Sequence, residues 1–138
     1  MNDDRTKSRG PQVPPPCDLT LGLVNTLKEP GRTRWTMVAD ERFSNPAGTI
    51  QGGFISAMID SAMGASVITY VSGQKVFASN SDLHVRFTKA ARIGSMLTCE
   101  AVVISGGRTV VFVEATVTDD SDRLIARGSS TYHLVPRA

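Results

Sequence analysis

The rhythm of hydrophobic and polar positions changes sharply near the middle of the chain. Over residues 52–72, Ile55, Met58, Ile59, Met63 and Val67 recur at helical spacing, and Phe54, Ala57, Ile68 and Val71 fill most of the remaining sides. A helix that is apolar nearly all round is a buried helix, and Gly73 is its predicted stop. Beyond it the period falls to two. Residues 82–88 put Leu83, Val85 and Phe87 on one face; residues 95–104 do the same with Leu97, Cys99, Ala101 and Val103. Residues 110–118 repeat the pattern with Val111, Val113, Ala115 and Val117, and residues 123–135 form the last predicted strand. Ser105-Gly106-Gly107-Arg108 and Asp119-Asp120-Ser121-Asp122 are short turns, so these strands are expected to be antiparallel neighbours.

Before the helix the pattern is weaker. Leu19, Leu21 and Leu23 follow Asp18, the predicted N-cap of a short helical turn that Gly22 ends. A weak strand over 23–28, a turn at Glu29-Pro30-Gly31 and a strand over 34–40 come next, then a loop over 44–48. Trp35, Met37 and Ala39 share one face of the second strand. The predicted architecture is α+β, a curved and mainly antiparallel sheet around one long apolar helix. Covering all sides of such a helix takes a strongly curved sheet, a partner subunit, or both. Residues 1–16 are charged and proline-rich with little to bury, and are expected to be a disordered tail; residues 17–138 read as one domain.

Composition narrows the classes. A chain of 138 residues fits one domain and buries about two-thirds of its surface without a metal or disulfide staple. Its net charge of +2 lacks the clustered basic surplus of a nucleic-acid binder. Two cysteines make no disulfide framework; Cys17 reads as a tail-edge residue and Cys99 as strand core. The N-terminus has no apolar run of the secretory kind, and Asp60 interrupts the apolar segment in a way that argues against a membrane span. A cytoplasmic protein is expected. His84 and His133 lack metal-ligand spacing and read as surface or edge residues. No nucleophile elbow, P-loop or dinucleotide fingerprint is present.

Asp60 is the only charged residue between Gly52 and Gln74. Burying an unpaired carboxylate costs several kcal/mol, so the charge calls for a reason. It is either a general base or nucleophile in a largely dry site, or a carboxylate satisfied by structural hydrogen bonds or a wet helix edge. Gly52-Gly53 opens the helix, where free N–H groups at the positive end of the dipole are able to hold an oxyanion; ordinary loop geometry also puts glycines there. Gly52 and Asp60 lie eight residues apart, about 12 Å at the helical rise. One substrate carbonyl does not reach both on one helix. If both act on one substrate they come from different subunits, which predicts a two-fold dimer with sites at its interface.

The run Asn45-Pro46-Ala47-Gly48-Thr49-Ile50-Gln51-Gly52-Gly53, followed after six residues by Asp60, resembles the active-site signature of hotdog-fold acyl-CoA thioesterases, with the PaaI-like phenylacetate-pathway branch the nearest in pattern. Residues 81–94, Gly107-Arg108-Thr109 and residues 124–131 extend the likeness, which covers about residues 18–136. The resemblance implies a hotdog fold and hydrolysis of an acyl-CoA thioester with no separate cofactor, CoA being part of the substrate. It also implies a homodimer, with a dimer of dimers as the larger assembly. It gives Asp60 the role of activating the attacking water and Gly52 N–H that of polarising the carbonyl, with Gly53 beside it. Asn45 would help hold water or substrate, and Asn80, or Ser79 or Ser81 in a shifted register, would face the water. Lys89, Arg92 and Arg108 are the candidates for binding the CoA nucleotide. One departure stands out: the family most often has His before the two glycines, where this chain has Gln51. An amide donates and accepts hydrogen bonds but does not titrate near neutral pH. Gln51 therefore keeps open a second reading, a non-catalytic acyl-CoA or acyl-ligand binding protein, and argues against a dehydratase of this fold.

Overall fold

A computed structural model describes residues 13–138; the expected tail falls largely on residues 1–12, outside the described residues. The chain runs α1 (Pro16–Leu21), β1 (Val24–Glu29), β2 (Arg32–Val38), a 3-10 turn (Glu41–Phe43), α2 (Gly52–Tyr70), β3 (Val76–Asn80), β4 (His84–Phe87), β5 (Met96–Gly106), β6 (Val110–Thr118) and β7 (Leu124–Pro136). All strands pair antiparallel in one sheet of order β1-β2-β5-β6-β7-β3. β4 and β3 lie end to end along one edge of β7, which pairs with β4 through 126–129 and with β3 through 132–136. Register shifts at Asn25/Leu27, Val103/Ser105 and Val117/Thr118 interrupt the ladders. Such bulges bend and twist a sheet, and here the sheet curls around α2.

Alternation explains what faces the helix. Leu97, Cys99 and Ala101 of β5, and Val111, Val113 and Val117 of β6, point inward and are buried, against Ile55, Met58, Ile59, Met63 and Val67 of α2. Each large side chain so buried contributes about 1.5–3 kcal/mol. Desolvation in this layer pushes the Cys99 thiol up to about 12, so it packs as a hydrophobe. Two features set how α2 sits. Gly128 of β7 lets the helix approach so closely that a Cβ there would lie 2.5 Å from Ile59 Cγ2. A buried chain of hydroxyls then fixes its rotation: Thr33 Oγ1 donates to the Ala62 carbonyl (3.1 Å) and touches Ser66 Oγ (2.7 Å), which donates to the Ala101 carbonyl (2.8 Å).

Several expectations are corrected. α1 begins at Pro16, with Pro15 as a cap that makes no side-chain bond, so Asp18 lies inside the helix and is not its N-cap. Proline suits the first helical position because its missing N–H is unpaired there anyway. That start also takes Pro16 out of the expected tail. β2 begins at Arg32, and Asp40, expected at its end, instead caps the 3-10 turn by accepting from Arg42 N (2.8 Å). β3 was not evident in the alternation, because its outer residues include Phe77 and its inner ones Asn80. Leu83 and Phe87 remain 40% and 50% exposed and are not core of this chain. The helix is covered on one side only: Ala57, Asp60, Ser61, Gly64 and Ala65 are half-buried and Ile68 is exposed.

Gly128→Ala is expected to destabilise the protein by about 1–3 kcal/mol by overpacking against Ile59, read as a fall in the urea midpoint at unchanged m-value.

Candidate active site

The loop between the 3-10 turn and α2 is tied on both sides. Gln51 N donates to the Phe43 carbonyl (2.8 Å) and Ile50 N to the Ala91 carbonyl (3.2 Å). Phe43 stacks on Phe54 of the first turn of α2, with ring centres 4.4 Å apart. Asn45 shapes this loop from within: its Oδ1 accepts from Ala47 N (3.0 Å) and Thr49 N (3.2 Å), and its Nδ2 donates to Thr49 Oγ1 (3.1 Å). Expected to hold water or substrate, the Asn45 amide is thus engaged by its own loop, and Gly52 is delivered by that loop.

α2 therefore starts abruptly at Gly52, with exposed Gln51 as an N-cap whose side chain makes no capping bond. The first N–H groups of a helix have no intrahelical acceptor, and among the described residues those of Gly52 and Gly53 donate to no loop or side-chain acceptor. The Phe87 ring lies against Gly52, where a Cβ would meet Phe87 Cζ at 2.9 Å. A cleft of about 320 Å³ opens beside it, lined by Ile50, Gly52, Ile55, Phe87, Thr88 and Lys89. The positive helix end and the Lys89 ammonium both favour an anion or a developing negative charge there.

Asp60 sits two turns further along, half-buried on the uncovered side of α2, where Asn80 Nδ2 donates to its Oδ1 (3.1 Å). Asn80, at the end of β3, is the residue of its segment that reaches the carboxylate; Ser81 Oγ instead lies 3.0 Å from His133 Nε2. Tyr132 of β7, directly opposite Asn80, is 6% exposed. Its burial, and then the Asp60 charge, push its phenol up to about 12, so it stays a donor at neutral pH.

The structure brings together some of the expected residues and separates others. Gly52, Gly53, Gln51 and Lys89 cluster at the start of α2. Arg92 flanks that end, across a bridge to Thr49. Asp60 and Asn80 form a second cluster. Arg108 belongs to neither, because its β5–β6 hairpin meets the far end of α2, where the Tyr70 hydroxyl donates to the Gly106 carbonyl (3.5 Å). That end is about 27 Å from Gly52 at the helical rise. Phe87 and Tyr132 were missed as site residues. The alternation signals only which face they share, not that Gly52 or Asp60 lies beneath.

A curled antiparallel sheet around one helix, with a bare glycine helix start and a carboxylate on the helix face, is the architecture of a hotdog-fold enzyme. The Thioesterase superfamily model matches residues 47–126, and the chain belongs to that superfamily of thioester hydrolases. It is 26% identical over 116 residues to human acyl-coenzyme A thioesterase 13, covering 83% of this chain and 81% of that protein. The fold is shared with the Escherichia coli PaaI protein of the phenylacetic acid degradation operon, at a TM-score of 0.80 and 18% identity over 86% of this chain and 83% of that one. A Streptococcus mutans protein solved bound to acetyl CoA superposes with a TM-score of 0.77 at 21% identity, covering 83% of this chain and 90% of that one.

Asn45→Ala removes the acceptor that organises the loop. It is expected to cost about 1–3 kcal/mol in unfolding free energy and to lower thioesterase activity with it. Asn45→Asp keeps the Oδ1 acceptor for Ala47 N and Thr49 N and replaces the Nδ2 donor with an oxygen to which the Thr49 hydroxyl can donate, so it should retain most of the stability, as followed by thermal unfolding.

Proposed function

We propose that this protein hydrolyses an acyl-CoA thioester to the free acid and CoA. The observation that carries the reading is a carboxylate, Asp60, held by Asn80 on the open face of a helix whose own N-terminus is free to bind an oxyanion. The thioester carbonyl accepts from Gly52 N–H, with Gly53 N–H beside it, and negative charge gathers on that oxygen as the bond is attacked. Asp60 takes a proton from a water whose oxygen adds to the carbonyl carbon; the C–S bond then breaks and the CoA thiolate leaves and is protonated. In the alternative course the Asp60 carboxylate itself attacks the carbonyl carbon, the C–S bond breaks with departure of the CoA thiolate, and water hydrolyses the resulting mixed anhydride to the free acid and the Asp60 carboxylate. Gln51 orients substrate or water at the helix start, and Asn45 keeps the loop that carries it. No cofactor is needed for either course. The human relative's name and the acetyl CoA in the Streptococcus mutans structure support CoA esters as the substrate class. Lys89 and Arg92 are suited to the nucleotide phosphates.

The site is shared between subunits in this reading. Gly52 and Asp60 of one chain are about 12 Å apart, while the uncovered side of α2 and the free edge of β3 lie next to each other. A second copy pairing along β3 covers that helix face and sets its own Gly52 toward this Asp60. The same two-fold offers Arg108 of one chain to the nucleotide held at the other. We place the reaction in the cytoplasm, in keeping with two free cysteines.

Asp60→Asn is expected to lower kcat by about 10²–10⁴-fold on whichever of acetyl-, hexanoyl-, palmitoyl- and benzoyl-CoA the wild type turns over best. Equal rates would remove Asp60 from the mechanism, and a monomer by light scattering would contradict the shared site. One observation favours a second reading, binding without turnover: Gln51, without a titrating group, stands exposed at the helix cap. Acyl-CoA bound tightly but not hydrolysed, in wild type and in Gln51→His alike, would establish that reading; measurable turnover by wild type excludes it.

A further inference from the structure

Gly64 is an expensive choice in the interior of α2, because glycine in a helix is destabilising relative to alanine. Its surroundings give the reason. A Cβ at Gly64 would lie 3.3 Å from the Tyr132 hydroxyl oxygen, its nearest neighbour and tighter than ordinary contact. Tyr132 comes from β7 and points inward, as does its cross-strand partner Asn80, whose amide holds Asp60. Gly64 follows Asp60 by four residues, so the two positions are neighbours on the helix surface, about 5–6 Å apart. The Tyr132 hydroxyl therefore stands over the helix one turn beyond the Asp60 carboxylate.

That hydroxyl has no hydrogen-bond partner among the described residues, although the residue is 6% exposed. No fully buried side-chain polar atom is orphaned among those residues either. The phenol oxygen thus retains access to solvent space, on the side of α2 that carries Asp60. A buried ring that spends none of its hydroxyl on the protein has that donor available to a neighbour across a short gap.

We propose that Tyr132 is a positioning residue for the reaction. Its O–H donates, directly or through one water, to the Asp60 carboxylate on the side away from Asn80, and Gly64 is the opening in α2 that admits it. The phenol stays protonated at neutral pH, as its upward shift to about 12 requires, so it serves as donor and not as base. With donors from Asn80 and Tyr132, the carboxylate is held in one rotamer with lone pairs left free toward the attacking water. The inference rests on the reading of Asp60 as the catalytic carboxylate.

The test is steady-state kinetics on the best CoA ester of the panel above, with thermal unfolding of every variant. Tyr132→Phe keeps the ring and should unfold within a few degrees of wild type while kcat falls about tenfold and KM stays within about twofold. Gly64→Ala should lower kcat by displacing the hydroxyl, and the double variant should fall no further than Tyr132→Phe alone. Wild-type kcat in Tyr132→Phe, a loss confined to KM, or simple additivity in the double variant would each overturn the proposal. Asp60→Asn separates the two levels. If Asp60→Asn is inactive and Tyr132→Phe is unimpaired, only the positioning role fails; if Asp60→Asn is fully active, the catalytic reading fails and this inference with it.

Discussion

Everything in this fold depends on how deeply and at what rotation one helix sits in one curled sheet. Gly128 sets the depth, because only a residue without Cβ lets Ile59 pack onto β7. The Thr33, Ser66 and Ala101 hydrogen bonds set the rotation, because buried polar groups must be paired and those partners exist in one orientation only. With both fixed, the apolar sides of α2 that carry Met58, Met63 and Val67 are committed to the sheet. Asp60 and Gly64 are committed to the opposite side, and Gly52, at the bare start of the helix, to the cleft beside Phe87.

The groups left unsatisfied by this packing are the ones suited to chemistry. A helix start without a cap is a loss of stability, since a good N-cap contributes about 1 kcal/mol, and Gly52, Gly53 and Gly64 add a further backbone cost. Those costs are concentrated where a carbonyl, a water and a carboxylate have to meet, which is the usual relation between stability and activity in an enzyme. The loop before α2 shows the complementary device. Asn45, Phe43 and the Ala91 carbonyl tie it on both sides, so the helix end is set in place without any side chain capping its free N–H groups.

The open edge of β3 and the uncovered face of α2 are one region, not two. Asn80 ends that edge strand and reaches across to Asp60. A curled sheet of seven strands encloses one side of a nineteen-residue helix; the other side is left to whatever completes the site. This is why the apolar pattern of α2 runs nearly all the way round although the chain itself buries only part of it. The helix has the length and the mean hydropathy, 1.2, of a marginal membrane span, yet its sheet-facing side is a packed core.

The amino-acid sequence by itself determined the long helix, the alternating strands after it, the antiparallel order, and the signature that joins Asn45 through Gly53 to Asp60. These are legible because periodicity and spacing are local and a helix or a hairpin is built from neighbours. The bounds of α1, the strand β3 and the roles of single site residues were not. Pro16 overrode Asp18 as a helix start through its fixed φ, and in β3 the short inner face of Val76 and Ala78 is masked by Phe77 on the outside and ends at polar Asn80. Only the tertiary structure decided that Asn80 holds Asp60, that Phe87 covers Gly52, that Tyr132 stands over Gly64 and that Arg108 lies at the wrong end of α2 to join Lys89. Each of these meetings joins residues far apart in the chain, and the crossovers of the sheet around the helix, not sequence spacing, determine which of them come into contact.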